Sequence, residues 1–321
     1  MRLLILSDES DRTCDIVCSY IHHLQVPFIR INSVKSYKTD VVIKGTSNEI
    51  SVRLKYGDYI VDLRDIRKTW FRRGLLYLCD YDSFVSSLPE LDQFIENESN
   101  TLKDFLYDRM SANERINNPA VYNCNKLRAL YTAVKVGLNI PNTIISKKRN
   151  DIKEFLIENE RCVTKSIQDF FEKQGTNRYV FVGEVSRVNK EDVTEESYWY
   201  SLFQQEVSKK YELRVFYFCD KIYSMAIFSQ LDKNSELDYR SVSPNDEHPN
   251  RMVPYRLPKD LKKKITRLMK LLKLESGSLD FIVTPESQYY FLEVNPVGQF
   301  NFVSELCNYY IERDIAKYLA T

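Results

Sequence analysis

Three oxygen-bearing side chains, Asp280, Glu293 and Asn295, stand where a single hairpin would bring them together. The segment from Ser278 to Asn295 reads as two strands, LDFIV and YYFLEVN, joined through TPESQ; a turn centred on Glu286 and Ser287 sets Asp280 across from Glu293. Side chains alternate faces along a strand. Phe281, Val283, Leu292 and Val294 are therefore expected on one apolar face, with Asp280, Glu293 and Asn295 on the other. Directly opposed carboxylates repel unless something cationic lies between them, and the sequence gives this face no evident counter-charge. Hard oxygen ligands of this kind suit Mg²⁺, which takes one or two carboxylates and completes its octahedron with waters and phosphate oxygens.

A metal that meets phosphate needs cationic company, and two lysines stand in suitable places. Lys126 falls in the first turn of a helix beginning near Asn123, where the dipole also favours an anion. Lys165 sits in the strand CVTKSI, where an unpaired ammonium among half-buried neighbours would be costly. Further on, SLFQQEVSKKYELRV carries a strand that ends in Gln205, Glu206 and Val207, followed by Glu212 and Arg214 at spacing two. Backbone groups at such a strand end can hold an adenine edge. Glu212 could accept from ribose hydroxyls and Arg214 could fork onto a phosphoryl oxygen, the alternative being an exposed Glu and Arg on a hairpin face. Trp70, Arg72 and Arg73 form a cation-aromatic group at strand spacing, open to a reading as substrate contacts or as a plain edge strand.

The elements that must position these residues alternate between strand and helix. RLLILS, a helix over about 12 to 25 and FIRIN make an α/β unit, followed by the hairpin VVIKG and EISVRL, the strand IRKTWFRRG and a helix over roughly 90 to 115. Asn117-Asn118-Pro119 stops the chain. The helix NKLRALYTAVKVG presents Leu127, Leu130, Tyr131 and Val134 as a stripe and ends at Gly137. DIKEFLIENE is a short helix, and CVTKSI, YVFVGEVSRV and SLFQQEV read as a small three-stranded sheet. The hairpin LRVFYFC-DK-IYSMAIF, a basic helix over about 258 to 274, the acidic hairpin and a last helix over about 304 to 320 complete the chain.

Composition excludes several classes. The chain has 321 residues, more than one ordinary domain, with Lys+Arg 46 against Asp+Glu 45, so no bulk attraction to nucleic acid or membrane is implied. No stretch reaches transmembrane length and the start lacks a secretory pattern, which points to the cytoplasm. The seven cysteines, Cys14, Cys18, Cys79, Cys124, Cys162, Cys219 and Cys307, are scattered without a CxxC pair and are expected as buried free thiols. His22 and His23 are adjacent on a helix and point apart, which argues against a histidine metal site.

NPAVYNCNKLRALYTAVKVGLNIPNTII, CVTKSI, FQQEV, YELRV, LDYR and SLDF…FLEVNPVGQF, in this order, resemble the ATP-grasp peptide maturases that make graspetides, the grasp-with-spasm branch above all, with the microviridin ligases as relatives. The resemblance covers nearly the whole chain. It implies an α/β (α+β) ATP-grasp fold with an N-terminal α/β subdomain over 1–118, a central helix and lid over 119–207, and a C-terminal mixed sheet over 208–321. It implies ATP and Mg²⁺ as cofactors, with Lys126 and Lys165 on phosphate, Gln205, Glu206 and Val207 on adenine, Glu212 near ribose, and Asp280, Glu293 and Asn295 on the metal. Arg214 and Arg240 become the catalytic arginines. Asp238 and Tyr239 resemble a DWR-type motif that touches peptide, with Tyr239 in place of the tryptophan, and a similar segment to Trp70, Arg72 and Arg73 lies near the cleft in the family.

The implied reaction activates a Glu or Asp side chain of a ribosomal precursor peptide as an acyl phosphate. A Ser or Thr hydroxyl or a Lys amine then closes an ester or amide ring. The expected partner is a precursor peptide with a leader and an acidic, hydroxyl-rich core; a homodimer and a SPASM-type partner protein are further expectations. Only Gly175 and Gly183 occupy the segment between Cys162 and Val188, where such lids often carry a Gly-rich loop. The rival readings are an ATP-grasp ligase for free amino acids or small substrates, and a non-catalytic nucleotide-binding protein.

Overall fold

The computed structural model describes residues 2–34, 38–78, 89–119, 124–168, 171–174, 179–182, 185–230, 237 and 250–321. The chain divides into two compact units, Met1–Asn123 with Lys273–Gly277 and Pro296–Thr321, and Cys124–Leu272 with Ser278–Asn295. The three-part division at 118 and 207 stays a proposal about subdomains beside this partition.

In the first unit β1 (Arg2–Ser7), β2 (Phe28–Asn32), β6 (Ile66–Phe71) and β7 (Glu114–Ile116) form a parallel sheet in the order β2-β1-β6-β7. Asp11 caps the helix α1 (Arg12–His23), accepting from the Cys14 amide. β3 (Thr39–Gly45), β4 (Ile50–Tyr56) and β5 (Tyr59–Asp62) make an antiparallel sheet of their own, with the expected turn closed by the Thr46 amide on the Glu49 carbonyl. Leu4, Leu6 and Ile31 of the parallel sheet, Val52, Leu54 and Val61 of the antiparallel one, and Leu106 and Met110 of α2 (Pro89–Met110) share one core. Gly74 follows β6 at φ 79°, where a Cβ would stand 2.4 Å from the Ser7 carbonyl oxygen, so this approach is closed to any other residue. The final helix is two helices, α6 (Asn301–Leu306) and α7 (Ile311–Ala320), because Asn308 and Tyr310 turn into the left-handed region at φ 54° and 55° and break the ladder.

In the second unit α3 (Lys126–Lys135) precedes β8 (Thr143–Lys148), α4 (Arg149–Glu158), β9 (Cys162–Lys165), the ribbon β10 (Phe171–Gln174) and β11 (Tyr179–Val182), β12 (Ser186–Val188) and β13 (Ser197–Gln205). The strand expected over YVFVGEVSRV is thus two, β11 and β12. β12-β9-β13-β8 form one sheet backed by Ile152, Phe155 and Leu156 of α4. β14 (Tyr211–Phe218), β15 (Lys221–Phe228), β16 (Arg251–Pro254), β17 (Ser276–Val283) and β18 (Tyr289–Asn295) form a five-stranded sheet in the order β16-β15-β14-β17-β18, and α5 (Lys259–Leu271) buries Leu261, Ile265, Leu268 and Met269. Among the described residues no helix is long and apolar enough to cross a membrane.

α3 corrects the expected stripe. Asn125 caps it by accepting from the Arg128 amide, and Gly137 at φ 78° lies just past its end, yet the buried face is Ala129, Leu130, Thr132 and Ala133. Tyr131 and Val134 are 63% and 54% exposed. The packed face thus carries two small residues, and the larger Tyr131 and Val134 side chains stay on the solvent side. Leu130→Ala should therefore cost roughly 2 to 5 kcal/mol in urea unfolding, and Tyr131→Ala well under 1 kcal/mol.

The free cysteines also differ from expectation: Cys14, Cys162 and Cys307 are buried, whereas Cys18, Cys124 and Cys219 are half-buried. Cys79 lies outside the described residues.

Candidate nucleotide and metal site

β17 and β18 pair antiparallel with Ser278 opposite Asn295 and Asp280 opposite Glu293, in the register expected from the sequence. The Ser287 amide donates to the Thr284 carbonyl across Pro285-Glu286, and Ser287 itself takes φ 62°, which sets the register. A bulge after Asp280 then pairs Phe281 with Phe291. Leu292 is the extra residue and is only half-buried, so its expected place on the apolar face belongs to Phe291, whose ring centroid lies 5.5 Å from that of Phe281. Leu279, Phe281, Val283, Phe291 and Val294 form that face.

The opposite face carries Asp280, Glu293 and Asn295, and it has counter-charges that the sequence reading did not assign. Arg214 Nη1 lies 2.8 Å from both Asp280 carboxylate oxygens, with both side chains nearly buried. Lys126, the first residue of α3, brings Nζ to 3.7 Å from Glu293 Oε2. An ionised carboxyl has about four acceptor positions, so each carboxylate can serve more than one cation. Among the described residues no three His, Cys, Asp or Glu side chains gather as a metal cluster. A cation at this face would take the two carboxylates and the Asn295 amide and complete its shell with water or phosphate oxygens, a donor set that fits Mg²⁺.

Glu212 shares the Arg214 side of β14, two residues away, and is 7% exposed. Lys209 Nζ donates to its Oε1 at 2.5 Å and Ser229 Oγ at 3.1 Å. Lys209 escaped the sequence reading, although its spacing of three from Glu212 was the available signal.

Lys165 and the strand end Gln205-Glu206-Val207 belong to the other sheet of this unit. Lys165 closes β9 opposite Leu202, and Gln205 lies opposite Cys162. The Gln205 amide donates to the Asn142 carbonyl and the Glu206 amide to the Arg161 carbonyl, which fixes the backbone here. Arg187 of β12 forks onto both oxygens of Glu206 at 2.9 and 2.8 Å. The Arg187 hydrogen bond holds the Glu206 carboxyl below the usual carboxylate range despite its partial burial. Sequence reading missed Arg187, since nothing in YVFVGEVSRV marks its partner.

Trp70 and Arg72 are 2% and 3% exposed, so the plain exposed edge strand does not hold for these two side chains, which are internal to the first unit. Arg72 Nε lies 3.1 Å from Asp11 and its Nη1 donates to the Val297 carbonyl at 2.6 Å; burial pushes the guanidinium down to about 10, against the pull of Asp11. Arg73 also meets Asp11 at 3.1 Å and keeps a quarter of its side chain in solvent. Asp238, Tyr239, Arg240, Gly175 and Gly183 lie outside the described residues.

No protein-family model matches the sequence, and no curated protein matches it. A RiPP-associated ATP-grasp ligase of Chryseobacterium gregarium, solved with ADP and a leader and core peptide, matches at TM-score 0.85 and 24% identity over 99% of this chain and 96% of that one. The fold is that of the ATP-grasp ligases. The macrocyclase MdnC of Microcystis aeruginosa MRC, bound with precursor peptide MdnA, matches this chain at TM-score 0.81 and 24% identity over 99% of each chain. The ATP-grasp ligase PsnB, complexed with a phosphomimetic variant of a minimal precursor, Mg and ADP, matches at 0.70 and 14% identity over 99% and 97%.

Because the folded Glu206 carboxyl titrates below its usual range, its stabilisation is full at neutral pH and is lost as pH falls through the lowered value. Arg187→Ala should be less stable than the parent at pH 7, with the gap closing on acidification below about pH 4. Thermal melts across that range check it; a gap that stays constant down to pH 3 would count against the pair.

Proposed function

We propose that this chain is an ATP-dependent peptide ligase that closes ester or amide rings within a ribosomal precursor peptide. The observation that carries the reading is the acidic face of the β17–β18 hairpin, where Asp280, Glu293 and Asn295 stand with Arg214 and Lys126. It is supported by a fold shared with ligases whose structures hold ADP, Mg and precursor peptides.

In this reading Asp280, Glu293 and Asn295 hold Mg²⁺, which when bound neutralises phosphate charge. Lys126 and Lys165 meet phosphate oxygens. The strand end Gln205-Glu206-Val207, its backbone fixed by the Gln205 and Glu206 amide hydrogen bonds, meets the adenine edge, and Glu212 accepts from ribose. A carboxylate oxygen of a peptide Glu or Asp attacks the γ-phosphorus, the bond to the bridging oxygen breaks and ADP leaves. A Ser or Thr hydroxyl, or a Lys amine, of the same peptide then attacks the acyl carbon, loses its proton and expels phosphate. Arg214 and Arg240 stabilise charge on the acyl phosphate, and Asp238 and Tyr239, which precede Arg240 in sequence, meet the peptide. Positioning and charge neutralisation supply most of the catalysis. The chain's near-neutral charge with Tyr 22 and Phe 17 suits an extended peptide better than a polyanion. We assign the reaction to the cytoplasm, where ATP is available, and count a homodimer and a SPASM-type protein among the partners to be sought.

Glu293→Gln should abolish ADP release while the circular dichroism and melting transition stay near the parent's. Lys126→Ala and Lys165→Ala should each weaken ATP binding by about 1.5 to 3 kcal/mol in calorimetric titration. Wild-type affinity in both would remove them from the pocket. Loss of water from full-length precursor should far exceed that from leaderless core in mass spectrometry, because a bound leader raises the effective concentration of the core. ADP release only with a free amino acid would instead favour a small-substrate ligase.

A further inference from the structure

Asn117, one residue past β7, is 1% exposed and takes φ 59°, a conformation that asparagine tolerates better than most residues. Its Oδ1 accepts from the Glu275 and Ser276 amides at 3.1 and 2.9 Å. Its Nδ2 donates to the Ser276 carbonyl at 3.1 Å, the Ser276 hydroxyl at 3.0 Å and the Pro296 carbonyl at 3.0 Å. Its backbone N–H donates to Glu275 Oε2 at 3.0 Å. One side chain thus holds the root of β17 and the residue that follows β18.

The need for such a holder follows from Pro296, which has no N–H to extend the ladder beyond Ser278 opposite Asn295. The next carbonyl past β18 turns to Asn117 instead. One residue further, Val297 is held by Arg72 Nη1 at 2.6 Å and Arg73 Nη2 at 3.3 Å, both arginines being tied to Asp11. Asn295 is the neighbour of Pro296 in sequence, and Asp280 lies four residues from Ser276.

We propose that Asn117, backed by Arg72, is a positioning residue for the metal ligands: it fixes the spacing of the two strand roots and so the separation of Asp280 from Glu293 and Asn295. The inference rests on the reading of those three as Mg²⁺ ligands. Mg²⁺ demands near-ideal octahedral geometry whereas Ca²⁺ accepts irregular shells, so a loosened hairpin penalises Mg²⁺ first. A residue that contributed only to folding would lower the melting temperature without separating the two ions.

The test is calorimetric titration of ADP into the full chain at graded Mg²⁺ and, separately, graded Ca²⁺. Asn117→Ala should raise the Mg²⁺ concentration for half-maximal ADP binding several-fold, with a clearly smaller shift for Ca²⁺. Ser276→Ala removes one acceptor of the Asn117 amide and should shift Mg²⁺ in the same direction by less; it carries the test if Asn117→Ala does not fold. Unchanged Mg²⁺ dependence in a folded variant, or equal shifts for both ions, overturns the clamp alone. Parent protein that binds ADP without any divalent dependence overturns the metal site itself, and the clamp with it.

Discussion

Two carboxylates facing each other across one strand pair are the constraint around which the second unit is arranged. Asp280 and Glu293 would repel at this separation, and each is given a cation from a different element: Arg214 from β14 and Lys126 from the first turn of α3. Arg214 and Asp280 are nearly buried, so neither can be removed without leaving an uncompensated charge. That requirement joins strands distant in sequence at one point of the sheet. It also makes α3 part of the site, since its N-terminal end supplies the second cation.

How far the sequence disclosed this follows from the range of the interactions. The register of β17 and β18 was legible because a short turn with a residue able to adopt positive φ fixes it locally. The bulge was not legible: alternation placed Leu292 inward, and only the close pairing of Phe281 with Phe291 decides that Phe291 goes there instead. The same limit appears in α3, where ranking side chains by apolar size chose Tyr131 and Val134 over Ala129 and Ala133. Helix packing there rewards small residues, and no pattern within the helix reports what it packs against.

Charge partners were the least legible layer. Glu212 and Arg214 stood out by spacing, yet their partners Lys209, Ser229 and Asp280 come from the loop before β14, the residue after β15, and β17. Trp70, Arg72 and Arg73 looked like a surface group because cations beside an aromatic residue usually face solvent. Asp11 reverses that: it caps α1 with one oxygen and meets both arginines with the other, so the guanidinium groups can lie inside. The Asn117 bonds to Glu275, Ser276 and Pro296 span more than 150 positions in sequence and leave no trace except an Asn before Asn-Pro.

The ion pairs on the acidic face do not exclude the role proposed for it. Arg214 Nη1 meets both oxygens of Asp280 at 2.8 Å, and a carboxylate has acceptor capacity for more than one cation. Glu293 is 20% exposed and its contact with Lys126 at 3.7 Å is longer than a hydrogen bond, so that lysine can turn toward a phosphate oxygen at small cost. The tighter partner therefore belongs to the more buried carboxylate and the looser one to the carboxylate nearer solvent. In the proposed role, such a gradient would hold the sheet geometry through Asp280 while Glu293 and Lys126 adjust to an incoming polyphosphate.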